Sequence, residues 1–445
     1  MPATVDRLFV HCRELVTLTD GEATGPRRRE DMRKLGVIED GAIAVKDGRI
    51  VAVGTTADIT RDYQAPEELD LDGFVVLPGF VDCHTHPVFA KTREHEFHMR
   101  CAGADYMEIA KAGGGILSSM KAVREATLEH LVETTEKHLW RFLENGTTTV
   151  EAKGGYGLSL EAEQKSMEAL NQAMAEVPLT VKRTFLGAHE FPPEYRDNRD
   201  EYVRIVCDEM IPALAPMVDY CDVFAEPGVF TREQSERVLK AAQTAGLRLR
   251  VHADEIKPMG GTEMAVALGA DSADHLGQIS DDGIAAMAAS NTVGVLLPGT
   301  IFFLAKPGYA PARKMIDAGC AVALATDFNP GSSHTQSMTM IHTIACTQMK
   351  MSPEECIVAS TINPAFSLQL DHEVGTLHPG KRADLCVLDI PSWKALGYTF
   401  GGNPIAMTIK DGRPVLANAA DRQPDWFADG VVLGGEDEVG DESSD

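Results

Sequence analysis

Residues 78–86 read Pro78-Gly79-Phe80-Val81-Asp82-Cys83-His84-Thr85-His86. An apolar, β-branched run leads straight into two histidines, and the rest of the chain takes its meaning from that junction. The run reads as a buried strand. Side chains alternate along a strand, so His84 and His86 leave it on the same face. Two imidazoles side by side at the end of a rigid element supply half of a zinc-type site. Cys83 points the other way and is given no ligand role.

Working outward, strand-like runs recur at Thr147-Thr148-Thr149-Val150, Lys182-Arg183-Thr184-Phe185-Leu186, Asp222-Val223-Phe224, Leu249-Arg250-Val251, Ser272-Ala273-Asp274, Val293-Gly294-Val295-Leu296-Leu297 and Val322-Ala323-Leu324-Ala325. With Phe80-Val81 that makes eight. Amphipathic segments at 128–143, 160–174, 232–245, 261–268 and 282–288 separate most of them, the pattern of a parallel sheet with crossover helices. Eight such units predict an α/β fold, a closed (β/α)8 TIM-type barrel. In that fold the chemistry lies at the C-terminal ends of the strands. Here those ends carry His84 and His86 on the first, His252 and Glu255 on the fifth, His275 on the sixth and Asp327 on the eighth.

Both ends of the chain are strand-like instead. Ala42-Ile43-Ala44-Val45 and Ile50-Val51-Ala52-Val53 flank Lys46-Asp47-Gly48-Arg49, a hairpin signal. Ala406-Met407-Thr408-Ile409 and Val415-Leu416 flank Lys410-Asp411-Gly412-Arg413 in the same way, after the strand-like Asp384-Leu385-Cys386-Val387-Leu388. The expected organisation is a small β-sandwich domain built from residues 1–77 and 374–430, bracketing a barrel at 78–373. Residues 431–445 read as an acidic disordered tail. Residues 21–40, with Arg27-Arg28-Arg29, read as a solvated loop rather than a binding patch.

Composition narrows the function. A formal charge of -26 repels polyanions and argues against a nucleic-acid partner; it also fits a salt-adapted host. No apolar leader and no run long enough to span a membrane is visible, so no membrane partner and a cytoplasmic location are expected. Nine scattered cysteines without a Cys-x-x-Cys pair fit reduced intracellular thiols.

The stretch at 78–86, with His252-Ala253-Asp254-Glu255, Asp274-His275 and Thr326-Asp327, resembles the amidohydrolase superfamily. Glu151-Ala152-Lys153-Gly154-Gly155-Tyr156-Gly157, Phe185-Leu186-Gly187-Ala188-His189, Pro192-Pro193-Glu194-Tyr195 and Asp327-Phe328-Asn329-Pro330-Gly331-Ser332 more narrowly resemble the imidazolonepropionase family, cyclic amidases of histidine breakdown. The resemblance runs to about residue 415. Departures are small: Gly154 stands where that family usually has serine, and Glu190 where an apolar residue is common.

The resemblance implies that His84, His86, His252 and Asp327 hold one divalent or trivalent metal, zinc or iron. Such a ligand set leaves the ion acidic enough to bring the pKa of bound water toward neutrality, which supplies hydroxide. The implied reaction is attack on the ring carbonyl of 4-imidazolone-5-propanoate, release of the C–N bond and departure of N-formimidoyl-L-glutamate. In it Asp327 accepts the water's proton, His275 orients the nucleophile and steadies the oxyanion, and Glu255 contacts the ring and exchanges its proton. Substrate contacts carried over are Arg93, Tyr156, His189, Asn329, Gly331 and Ser332, which makes the partner a small anionic molecule. A guanidinium suits a propanoate carboxylate because it offers a planar fork of donors. Tyr106 is a further candidate for the pocket wall. Gly113-Gly114-Gly115 lacks the strand before and the lysine after that a phosphate loop needs, and reads as a flexible lid. A homodimer is what the resemblance suggests.

Two alternatives follow from the same residues. Some superfamily members bridge two metals with a carboxylated lysine from strand four, but Lys153 follows strand two and strand four ends in Glu226-Pro227-Gly228. One metal is therefore expected. A purine or pyrimidine deaminase would use the same metal set, including His252 and Glu255, but has no use for Arg93.

Overall fold

A computed structural model describes residues 1–104, 108–109 and 112–417. The expectations for Tyr106 and for the tail at 431–445 lie outside the described residues. The eight expected strands form at β1 (Phe80–Thr85), β2 (Thr147–Lys153), β3 (Thr180–Ala188), β4 (Tyr220–Ala225), β5 (Arg248–Ala253), β6 (Ser272–His275), β7 (Val293–Leu296) and β8 (Val322–Leu324). Each pairs in parallel with the next.

The barrel closes just beyond the ends of β1 and β8. Thr85 bridges Phe328 in parallel, His86 N–H donates to Phe328 O at 2.8 Å and Asp327 N–H donates to His84 O at 3.1 Å. Closure therefore places Asp327 beside both histidines of β1. The helices between strands begin where their caps put them. Thr127 accepts from His130 N–H ahead of Leu128–Glu144, Ser159 from Ala162 N–H ahead of Leu160–Glu176, and Thr231 forms a capping box with Gln234 ahead of Arg232–Thr244.

The two chain ends meet in one eight-stranded mixed sheet. Its order runs from Arg413–Ala417 through Ile405–Lys410, Leu385–Leu388, Val75–Pro78, Arg7–Val16 and Val37–Lys46 to Arg49–Thr55, with Glu67–Asp70 beside Arg7–Val16. The seam is antiparallel, Leu385 opposite Pro78 and Leu388 opposite Val75. The sheet has a core of its own, in which Phe9, Leu15 and Ile43 join Leu385, Val387, Met407 and Ile409. Among the described residues no helix is long and apolar enough to cross a membrane.

The arginine triplet departs from expectation in part. Arg27 is buried, and its guanidinium donates to the carbonyls of Leu18, Glu22 and Lys34. Arg28 donates to Ala288 O and Ser290 O, and Arg29 to Ala318 O. These last carbonyls lie at or just past the C-terminal ends of the helices Asp281–Ala288 and Ala312–Ala318. A helix end leaves its last carbonyls unpaired and carries partial negative charge, so it attracts cations. Half of residues 21–40, Arg29 among them, are exposed as expected, but Arg27, Met32 and Leu35 are buried and the three arginines tie the segment to its neighbours.

Candidate metal centre and active site

The site begins with two histidines whose outer nitrogens each face a carboxylate. His84 Nδ1–H donates to Asp274 Oδ2 on β6 at 2.6 Å, and His252 Nδ1 on β5 lies 3.0 Å from Asp222 Oδ2 on β4. A carboxylate on the outer nitrogen fixes the tautomer and leaves the inner Nε2 as a lone pair, the arrangement that orients metal-binding imidazoles. His84 Nε2 faces His86 Nε2 at 3.3 Å. Asp327 Oδ1 is 3.4 Å from His86 Nε2 and 3.6 Å from His84 Nε2. One ligand atom from each of His84, His86 and Asp327, and likewise of His84, His252 and His275, come within 4.8 Å of one another.

Electrostatics agree with that geometry. Burial holds His84 far below the usual histidine range and His86 down to about 4, so both rings are neutral. Burial opposes the charged form of His252 as well, but the Asp222 carboxylate outweighs it and the ring becomes more basic. For Asp327 burial pushes upward, yet contacts from His86, His275 and Thr300 Oγ1 win and bring it to about 2. The neutral imidazoles of His84 and His86 beside the ionised Asp327 carboxylate are donors that fit a cation. Two of these residues are held in the left-handed region, His275 at φ 74° and Asp327 at φ 52°. Strain of roughly 1–3 kcal/mol each is the usual cost of that conformation, and it persists here because barrel closure fixes the backbone on both sides of Asp327.

Below the ligands the barrel interior is ionic. Lys153, at the end of β2, lies 2.8 Å from both Glu151 and Asp222. Arg250 on β5 donates to Cys83 O at 2.8 Å and stands 3.5 Å from Asp274. All of these side chains are fully buried. Sequence reasoning gives Asp222 and Asp274 no role, though a signal exists, since each is a carboxylate inside an otherwise apolar strand and must be paired if buried.

Above the ligands opens a cavity of about 460 Å³ whose wall includes Arg93, Tyr156, His189, Glu255, His275 and Ser332. His189 Nδ1–H donates to Gly155 O at 3.0 Å, and its ring stacks on His86 with centroids 5.3 Å apart. Its Nε2 is thereby an acceptor. Burial raises the Tyr156 hydroxyl well above the phenol range, so it stays protonated. Glu255 Oε2 is 3.7 Å from His275 Nε2. The loop that carries it is pinned by two other carboxylates: Asp254 accepts from Met259 N–H, Thr262 N–H and Thr262 Oγ1–H, and Glu226 from Ile256 and Lys257 N–H. Asn329 lines the cavity, but its amide is consumed inside its own loop. Oδ1 accepts from Gly331 and Ser332 N–H, and Nδ2 donates to Asp327 O and Ser332 Oγ.

Arg93 immediately precedes the helix Glu94–Cys101, and it reaches the cavity already paired with Glu96. Arg100 and Lys306 also line the cavity. Sequence reasoning misses Glu96, Arg100 and Lys306, because nothing local distinguishes them from surface charges. Within the glycine run expected to be a lid, Gly115 N–H is held by Glu96 Oε1 at 2.9 Å.

Solved structures share this architecture at low identity. Escherichia coli guanine deaminase superposes with a TM-score of 0.71 at 18% identity, covering 93% of this chain and 100% of that one. An adenosine deaminase from Xanthomonas campestris, with bound zinc, gives 0.70 at 19%, covering 94% of each. The fold and site define an amidohydrolase, and the model of the Amidohydrolase family matches residues 75–415. A second model, described as an imidazolonepropionase-like composite domain of bacteria, matches residues 41–63. The imidazolonepropionase of Geobacillus kaustophilus is 48% identical over 416 residues, 92% of this chain and 98% of that protein. That of Parabacteroides distasonis is 48% identical over 390 residues, 87% and 94% of the two chains. The chain belongs to the imidazolonepropionases of the amidohydrolase family.

Proposed function

We propose that this enzyme hydrolyses the ring amide of 4-imidazolone-5-propanoate to N-formimidoyl-L-glutamate in histidine degradation. The observation that carries the reading is a floor of convergent metal-binding side chains beneath a cavity whose wall carries a pre-oriented arginine. His84, His86, His252 and Asp327 would hold one metal ion, zinc or iron. When bound, that ion supplies Lewis acidity, lowering the pKa of water and polarising a carbonyl.

The chain's own residues do the rest. Arg93 pairs with the propanoate carboxylate, and Tyr156 donates its hydroxyl proton to the substrate. His189 offers Nε2 as an acceptor to a ring N–H. Asp327, ionised throughout the physiological range, takes the proton of the attacking water. His275 holds the nucleophile and the developing oxyanion. As the bond between the carbonyl carbon and the ring nitrogen breaks, the proton Asp327 took from the water is handed on to that nitrogen with Glu255 as its carrier, which prevents an amide anion from leaving and restores both carboxylates. The amide of Asn329 shapes the Gly331–Ser332 loop that faces Arg93, so its contribution is to the loop.

A single ion is favoured by Lys153. Its ammonium is balanced between Glu151 and Asp222; as a carboxylated bridge it would set a third negative charge between them. The deaminase alternative shares the floor of the site but leaves Arg93, Arg100 and Lys306 without a purpose. Metal-loaded protein assayed against imidazolone propanoate, guanine and cytosine separates the readings. Turnover of a neutral base with none of the imidazolone would overturn the amidase assignment.

A further inference from the structure

Glu96 is a carboxylate beside a cavity proposed to receive an anion, and its side chain is only 2% exposed. Left unpaired there it would repel the substrate. Instead its oxygens are all engaged: Oε1 accepts from Arg93 Nε at 2.8 Å and from Gly115 N–H at 2.9 Å, and Oε2 accepts from Arg93 Nη2 at 2.7 Å. A guanidinium has two donor forks, one formed by Nε with a terminal nitrogen and one by the two terminal nitrogens. Glu96 occupies the first. One face of the same group is covered by Gly331, where a Cβ would collide with Nη1 and stand 2.6 Å from Cζ. Only the Nη1/Nη2 edge of Arg93 then remains for a ligand.

We propose that Glu96 is a positioning residue, which takes the side fork of Arg93 and lays its guanidinium against Gly331 so that the Nη1/Nη2 fork meets the substrate carboxylate. Its bond to Gly115 N–H ties the start of the helix Ile116–Glu125 to the same clamp. This rests on the reading of the substrate as a carboxylate-bearing ring. It adds a residue that touches no substrate and sets affinity through another. A long side chain that would otherwise be ordered on binding is ordered beforehand, and preorganisation of this kind appears as affinity.

The test uses metal-loaded protein and a stable probe, 3-(imidazol-4-yl)propanoate, with its primary amide as the neutral control, both titrated calorimetrically. Wild type is expected to prefer the acid. Glu96→Gln should weaken the acid roughly tenfold, the scale of one charge-assisted hydrogen bond, and leave the amide within about twofold. In turnover the loss should fall on KM rather than kcat, and in an Arg93→Ala background Glu96→Gln should add nothing further. Equal loss for acid and amide, or full additivity with Arg93→Ala, would overturn the proposal. Should the glutamine variant fail to fold, Gly331→Ala displaces the guanidinium from the other side and must show the same acid-selective loss; wild-type acid preference there refutes the clamp. The two readings fail separately. Wild type that binds the acid in a Glu96-dependent way but hydrolyses no imidazolone sinks the reaction and leaves the clamp, whereas active wild type with a Glu96-independent acid preference sinks the clamp alone.

Discussion

At the scale of single residues, the site divides labour between groups that touch the reacting atoms and groups that hold those in place. In the proposed reaction Glu255 is the clearest of the first kind, because its loop is fixed by Asp254 and Glu226 while its own carboxylate is left to the cavity. Glu255→Gln is expected to retain its metal and lose kcat by about two to four powers of ten, the range of a lost proton-transfer group. Metal analysis alongside steady-state turnover checks it, and near wild-type kcat would remove Glu255 from the reaction. Arg93 is proposed to act on binding. Arg93→Ala should cost about 1.5–3 kcal/mol in kcat/KM, the worth of a charge-assisted hydrogen bond, or one to two powers of ten. The loss should be confined to the acid when an amidated substrate is run beside it. Equal sensitivity of acid and amide would leave Arg93 with no carboxylate partner.

At the scale of elements, much of the fold is legible in the sequence. The strands of the barrel can be read because apolar runs stop abruptly at His84, His252, His275 and Asp327, and a ligand-type residue placed directly after a buried strand is seldom there for packing alone. The partners of those residues are harder to find. Asp222 and Asp274 sit inside strands, and only the barrel's closure shows that they serve His252 and His84. Arg29 is exposed as read, but the partners of Arg28 and Arg29, the ends of helices some 260–290 residues away, leave no local trace. The helix Met338–Met349 offers a test of burial itself. His342 within it is 1% exposed, is pushed down by burial to about 3, and has Ser360 Oγ as its hydrogen-bond partner. Its folded value lies below the unfolded one of about 6.5, so its contribution to stability is complete above pH 6.5 and is lost as pH falls toward 3. Each pH unit in that window is worth up to about 1.4 kcal/mol. His342→Gln, which cannot titrate, should therefore lose about 2 kcal/mol less stability than wild type between pH 6.5 and 5. Urea unfolding at the two pH values, with metal saturating, measures the difference; parallel losses in both proteins would show that His342 does not titrate on unfolding.

At the scale of the whole molecule, the buried charges of the barrel call for a cation. Asp82, Glu151, Asp222, Asp274 and Asp327 are buried carboxylates, against which Lys153 and Arg250 supply buried cations. A metal ion at the site proposed for His84, His86, His252 and Asp327 would offset that excess, and buried charge left unbalanced is strongly destabilising. Chelation is expected to abolish turnover and also to lower the melting temperature, since a ligand bound only by the folded state at about a thousand times its Kd stabilises by about 4 kcal/mol. Elemental analysis of fully active protein should find about one metal per chain; a ratio near two would return Lys153 to consideration as a bridge. The antiparallel seam between Val75–Pro78 and Leu385–Leu388 has a consequence for synthesis. Those strands are separated by about 300 residues, which a ribosome adding 5–20 residues per second takes roughly 15–60 s to make. Throughout that interval the emerging chain carries Val75–Pro78 as an open strand edge while the barrel forms behind it, so yield from a fast, crowded expression host should improve when translation is slowed or when chaperones that shield strand edges are supplied.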